Sequence, residues 1–306
     1  MGIQKSTPSP VEILADDTGE EANQRAKLPD KLQRYGNAKS KALAIADYIR
    51  SEVPHYPKYP SLISDCGSYL VFRDYYTVDQ VKLHAASFCR KHLLCPLCAI
   101  RRGSKHLSRY IERFTELTAS EPLLRPYLVT LTVKDGPDLK ERFDHLKKSL
   151  VSFHKRRHGQ RNTNEAKKAT AAVWSYEIKR GKNSGQWHPH VHAIWLCASP
   201  PDQFAISEQW RKITRDSFIV DVRPISNDDP VSGFLEVFKY AIKFSDQPES
   251  DTWHCFEILK GKRLIGSFGD FYGIPEPDEL TDDPIEGLPY HEHFYQFLSG
   301  KYQLKN

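Results

Sequence analysis

Three histidines recur at every second position in Trp187-His188-Pro189-His190-Val191-His192-Ala193. Successive side chains of an extended strand point to opposite faces, so these imidazoles share one side. Just upstream, Gly181-Lys182-Asn183-Ser184-Gly185 has the glycines and asparagine of a hairpin loop, and Ala171–Arg180 reads as the partner strand. A hairpin centred between Asn183 and Ser184 sets Glu177 directly opposite His190. The same register sends Trp174, Tyr176 and Ile178 to the other face with Val191 and Ala193, leaving one apolar and one chemical side. Glu177, His190 and His192 form a neutral imidazole pair plus one carboxylate, with open coordination positions. That set suits Mg²⁺ or Mn²⁺ engaged on a phosphate, and equally the iron(II) of a non-haem oxygenase. His188 is open between a third ligand, a donor to a ligand and a contact to nucleic acid.

A second group lies on a predicted helix, Val231–Phe244, introduced by Asp229-Pro230 as cap and first-turn proline. Phe234, Val237, Phe238, Ala241 and Ile242 fall on its buried stripe. Glu236, Tyr240 and Lys243 stand together on another side, at i, i+4 and i+7. By itself this is an amphipathic helix with a peripheral tyrosine. As chemistry it offers a phenol nucleophile and, one turn away, a carboxylate able to take a proton from a second nucleophile.

The chain has 6 cysteines. Cys95-Pro96-Leu97-Cys98 supplies a C-x₂-C knuckle, and Cys66 and Cys89 complete a four-thiolate tetrahedral set for structural Zn²⁺, with His84 or His92 as alternatives to Cys66. Cys197 and Cys255 lack metal spacing and read as core residues. Buried thiols without metal are the competing reading.

The elements that position these groups follow from periodicity. Helices are predicted at Lys39–Ser51, Ala99–Ala119, Leu139–His158 and Pro201–Asp216, and further strands at Tyr127–Val133 and Phe218–Pro224. The order β-α-β-β-α-β-α points to an α+β fold, a central antiparallel sheet with flanking helices. Residues 1–60 read as a polar, largely disordered segment ending in the Pro-dense linker Val53–Pro60. Residues 61–122 read as the Cys-rich region, 123–275 as the catalytic domain, and 276–306 as an acidic linker and tail.

In its 306 residues, Lys+Arg 44 against Asp+Glu 39 gives a net charge of only +5, but the charge is segregated. From Cys89 to Tyr110 there are six basic residues and no acidic one, and from His154 to Lys168 six basic residues against Glu165 alone. Such clusters are the footprint of a phosphate-binding surface, or else solvated helix faces. Acid collects at Glu276, Asp278, Glu279, Asp282, Asp283 and Glu286. No apolar run spans a bilayer and no secretory leader is evident, so a cytoplasmic protein without a membrane partner is expected.

Leu128-Val129-Thr130-Leu131-Thr132, the run His188–His192, and Glu236 with Tyr240 occur in the order of three motifs of the HUH endonucleases. The chain resembles bacterial rolling-circle plasmid replication initiators of that superfamily, in the branch with one tyrosine and a glutamate. Cys89–Cys98 followed by Arg101-Arg102 is similar to the Cys-rich element ahead of the catalytic domain in this branch. The resemblance implies an HUH fold of ferredoxin-like or RRM-like type and metal-assisted nicking of origin DNA by Tyr240. It also implies a 5′-phosphotyrosyl link, a free 3′-hydroxyl primer, and Glu236-activated water for termination. Lys243, and Lys239 beside it, would neutralise phosphate charge; Arg101, Arg102, Lys105, Arg156 and Arg157 would contact DNA. Host helicase and DNA polymerase are the implied partners. The alternatives are the iron(II) oxygenase and a non-catalytic zinc DNA-binding protein.

Overall fold

The computed structural model describes residues 24–158, 164–238 and 247–305. In chain order the helices and strands are α1 (Gln24–Glu52), α2 (Lys58–Asp65), β1 (Tyr69–Tyr75), β2 (Gln80–Ala86), α3 (Pro96–Ser120), β3 (Arg125–Thr132), α4 (Leu139–Lys155), β4 (Ala169–Arg180), β5 (Trp187–Cys197), α5 (Gln203–Thr214), β6 (Val220–Pro224), α6 (Pro230–Phe238), α7 (Glu249–Leu259), β7 (Ile265–Gly269), β8 (His291–Leu298) and β9 (Lys301–Lys305). They form an α+β protein with antiparallel sheets. One compact unit is Leu107–Pro275; the other takes the chain on both sides of it, Met1–His106 with Glu276–Asn306. The expected break at 122 therefore lies inside a unit, and residues 24–60 belong to one.

The flanking unit is a four-stranded sheet in the order β2-β1-β8-β9 with antiparallel pairings. Two expectations are corrected here. The helix expected at Lys39–Ser51 is present but begins at Gln24, within the stretch read as disordered, and Tyr35, Ala42, Ile45, Ala46 and Ile49 form one stripe buried within the unit. Residues 291–305 are likewise no loose tail: β8 pairs with β1, and the Tyr302 hydroxyl donates to the Gly67 carbonyl at 2.7 Å.

The inserted unit has the strand order β6-β3-β5-β4-β7, which puts the histidine strand β5 at the centre. On one face lie α4 and α5: Phe143 meets Tyr176 edge-on, Phe153 stacks on Trp195, and Trp210 meets Phe153 edge-on. The starts of these two helices are capped by aspartates. Asp138 accepts from the Glu141 amide, and Asp202 from Phe204 and Ala205. The other face carries α6, whose Val237 carbonyl accepts from the Ser175 hydroxyl, with Phe234 tilted against Phe114. Among the described residues no helix is long and apolar enough to cross a membrane.

Gly269 ends β7 at φ +62°, where a Cβ would fall 1.8 Å from the Thr170 carbonyl oxygen. The backbone of β4 blocks any relief. Gly269→Ala is expected to destabilise the protein by about 2 kcal/mol or more, read as a lower midpoint in urea unfolding at unchanged slope.

Candidate functional site

The hairpin register is the one the apolar and polar faces demand. Glu177 pairs with His190 and Ser175 with His192, while on the other side of β5 Thr132 pairs with His190 and Thr130 with His192. Both histidine Nε2 atoms lie 2.8 Å from the same Glu177 Oε2. The remaining ring nitrogens are held from behind, His192 Nδ1 by Thr130 Oγ1 at 3.2 Å and His190 Nδ1 by the His188 carbonyl at 3.4 Å. Such outer contacts fix ring orientation, as they do around metal-bound imidazoles.

Burial works against the Glu177 carboxylate, but the two imidazoles more than reverse it and its pKa lies well below the usual carboxylate range. Burial lowers the pKa of His190 and favours its neutral ring. An ionised carboxylate with a neutral imidazole is the protonation state a divalent ion requires. One donor atom from each of Glu177, His190 and His192 lies within 4.8 Å of the others, which fits a single ion.

His188 stands apart from this group. Its Nδ1 is hydrogen-bonded to Asp135, which also accepts from the Ser184 hydroxyl and is held below its usual pKa by those contacts against the opposing effect of burial. Asp135, in the loop after β3, was not anticipated from sequence; its only signal was its place directly after the first-motif strand. Glu236 is half-buried on α6, over the face that carries the triad. Lys239, Tyr240 and Lys243 lie outside the described residues.

The four cysteines converge because β1 and β2 pair. Leu70 lies opposite Ala86, so the residues before β1 and after β2 are neighbours, and the Gly67 amide donates to Ser87 at 2.7 Å. Cys66 and Cys89 are thereby brought to the start of α3, where Cys95 and Cys98 sit. The sulfurs of Cys66 and Cys98, and of Cys66 and Cys95, are 3.5 Å apart, and those of Cys89 and Cys98 3.7 Å. These are not disulfide distances. Four thiolates at about 2.3 Å from a tetrahedral zinc would sit about 3.8 Å from one another, so the cluster fits that ion closely. The mutual hydrogen bonds push Cys89 down, with Cys66 the largest contributor, and push Cys95 and Cys98 up. Neither His84 nor His92 joins the set. Buried Lys39 of α1 donates to the Cys66 carbonyl at 2.7 Å, and sequence reasoning missed it because it looked like an ordinary helix-surface lysine.

The basic segment behind the cysteines is not an open surface. Arg101 is fully buried and paired with Asp282; Arg102 and His106 pair with Glu276, Lys105 with Asp283, and Arg90 with Glu279. The acidic stretch expected to be a linker neutralises these cations. Arg101 thus serves the packing of this unit, whereas Arg156 is exposed.

Protein purified without chelator is expected to carry about one tightly held zinc per chain by elemental analysis. Cys95→Ser with Cys98→Ser should lose that zinc together with thermal stability; full zinc retention would remove the thiolate assignment.

The chain matches the Replication protein family over residues 80–288. It is 26% identical to the Protein rep of Lactiplantibacillus plantarum, over 72% of this chain and 75% of that protein. It is also 26% identical to the Protein rep of Streptococcus pneumoniae serotype 2, over 88% of each. Identity to the Protein rep of Bacillus amyloliquefaciens is 24%, over 76% of this chain and 77% of the relative. No solved structure matches the chain significantly. The family match runs from β2 through the Glu177/His190/His192 group and past α6, so the chain belongs to the Replication protein family, the Rep initiators that its motifs resemble.

Proposed function

We propose that this Rep initiator starts rolling-circle replication by nicking single-stranded DNA exposed at a plasmid's double-strand origin. The supporting observation is the convergence of two imidazole nitrogens and a carboxylate oxygen within 4.8 Å on the central strands, in a chain of the Rep family. Glu177, His190 and His192 would hold Mg²⁺ or Mn²⁺, which when bound supplies Lewis-acid chemistry at a non-bridging phosphate oxygen. Tyr240 gives up its phenol proton and attacks phosphorus. The bond to the 3′-oxygen breaks, leaving a 5′-phosphotyrosyl link on the protein and a 3′-hydroxyl that a host polymerase extends behind a host helicase.

Lys243 and Lys239 lower the cost of phenolate beside a phosphate, since a nearby cation favours the charged form of tyrosine. Glu236, four residues before Tyr240 in sequence and half-buried on α6, takes a proton from water for the terminating cleavage, so no second tyrosine is required. The covalent intermediate retains the phosphodiester's energy for rejoining.

Incubated with Mn²⁺ and an origin oligonucleotide, the protein is expected to form a denaturation-resistant adduct that Tyr240→Phe abolishes. An adduct of normal yield from that variant rejects the nucleophile. Glu236→Ala should leave first cleavage intact and slow the second by roughly a hundredfold or more; an unaltered second cleavage rejects its role. Iron-dependent oxygen consumption without any adduct would instead identify an oxygenase.

A further inference from the structure

The five-stranded sheet carries its histidines on one face only, and α4 lies on the other. Its Phe143 and Phe153 pack on Tyr176 and Trp195, strand positions of opposite parity to Glu177 and His192. Along α4 the charge changes. The first turns hold Asp138, Glu141 and Asp144, and the cations there are matched: Lys140 to Asp144, and Arg142 to Glu141 and Asp216. From Lys147 to Asn164 no carboxylate occurs in the sequence. Lys148, Ser152, Lys155 and Arg156, with exposed Val151, line one shallow concavity.

Among the described residues no carboxylate lies within ion-pairing distance of Lys148, Lys155 or Arg156. The neighbouring acids are already engaged, Glu165 with Lys168, Glu208 with Arg211 and Asp144 with Lys262 as well as Lys140. Beyond the concavity Arg157 is fixed by stacking 3.7 Å above the Phe268 ring. The surface thus holds three unmatched cations over about 12 Å of helix axis. A single strand would call for aromatic platforms on which bases stack, and the concavity has none. A duplex backbone presents a phosphate charge about every 1.7 Å and asks only for cations and small donors such as Ser152.

We infer that the outer face of α4 is a second DNA surface, one that holds duplex phosphates on the side of the sheet away from Glu177, His190 and His192. It rests on the proposed function only in taking DNA as the ligand. Scission and holding would then use opposite faces, so duplex flanking the nick can remain bound while the single strand is exchanged at the histidines.

The test is anisotropy of a fluorescein-labelled duplex of arbitrary sequence, titrated with full-length protein over a range of NaCl concentrations. Lys148→Gln with Lys155→Gln is expected to weaken binding at least tenfold at low salt and to reduce the slope of log affinity against log salt by about 2. Lys148→Arg with Lys155→Arg should keep the slope, and Lys140→Gln, on the same helix but already paired, should not change it. An unchanged slope in the glutamine double variant overturns the proposal. So does an equal loss of affinity for single-stranded DNA, or a comparable effect per charge from Lys140→Gln. Adduct formation on a single-stranded origin oligonucleotide should be unaffected by the double variant. If wild-type protein forms no adduct, the nicking reading fails while the duplex titration still decides this surface.

Discussion

A slip of one residue in the pairing of β4 with β5 would turn Glu177 into the layer occupied by Phe143 and Phe153, and Tyr176 out of it. The carboxylate would then lie in an apolar layer without partners, and a large aromatic would leave the core, so the register is fixed by both penalties together. Everything at the triad depends on that register. With Glu177 opposite His190, one oxygen reaches both rings. With β3 on the far side, Thr130 is in place to orient His192. Helices α4 and α5 stiffen this arrangement from the opposite face, and none of their side chains touches the histidines' donor atoms.

Charge organises the flanking unit in a comparable way. A fully buried Arg101 is tolerable because Asp282, the Leu280 carbonyl and the Tyr35 hydroxyl meet its guanidinium, and Asp282 also accepts from the Leu83 amide. Burial alone would raise the Asp282 pKa; Arg101 and Lys31 outweigh that and hold it low. A buried pair of this kind adds little stability over an apolar one, but leaving either partner alone is costly, which favours a single docking position for the segment. Glu276 is held down to about 2, chiefly by the hydrogen bond to His106.

The inserted unit was largely legible because its elements are strongly periodic and its hairpin loop has distinctive residues. Strands β3, β4 and β5 and helices α4 and α5 match their sequence signatures to within a few residues. What escaped had physical reasons. Strand β7 is five residues with two glycines, and Gly266 is needed because a Cβ there would fall 2.4 Å from the Trp174 indole. The strand β8 has no clean alternation, since neither of its faces is fully buried. The first half of helix α1, ahead of the expected Lys39–Ser51, hid behind a polar composition and Pro29. At the site, the triad could be read from parity alone. Asp135 and Lys39 could not, because their partners come from distant segments.

The flanking unit is interrupted in sequence: its strand β1 stands before the inserted unit, and β8 and β9 come after it. On the ribosome this sets an order. The inserted unit has all its strands once Gly269 has emerged, whereas β1 keeps an open edge until β8 is made. Open edges are templates for pairing with other chains, and they are most hazardous during synthesis. The flanking unit therefore remains incomplete until synthesis has passed β8 and β9, long after the strands of the inserted unit are in place.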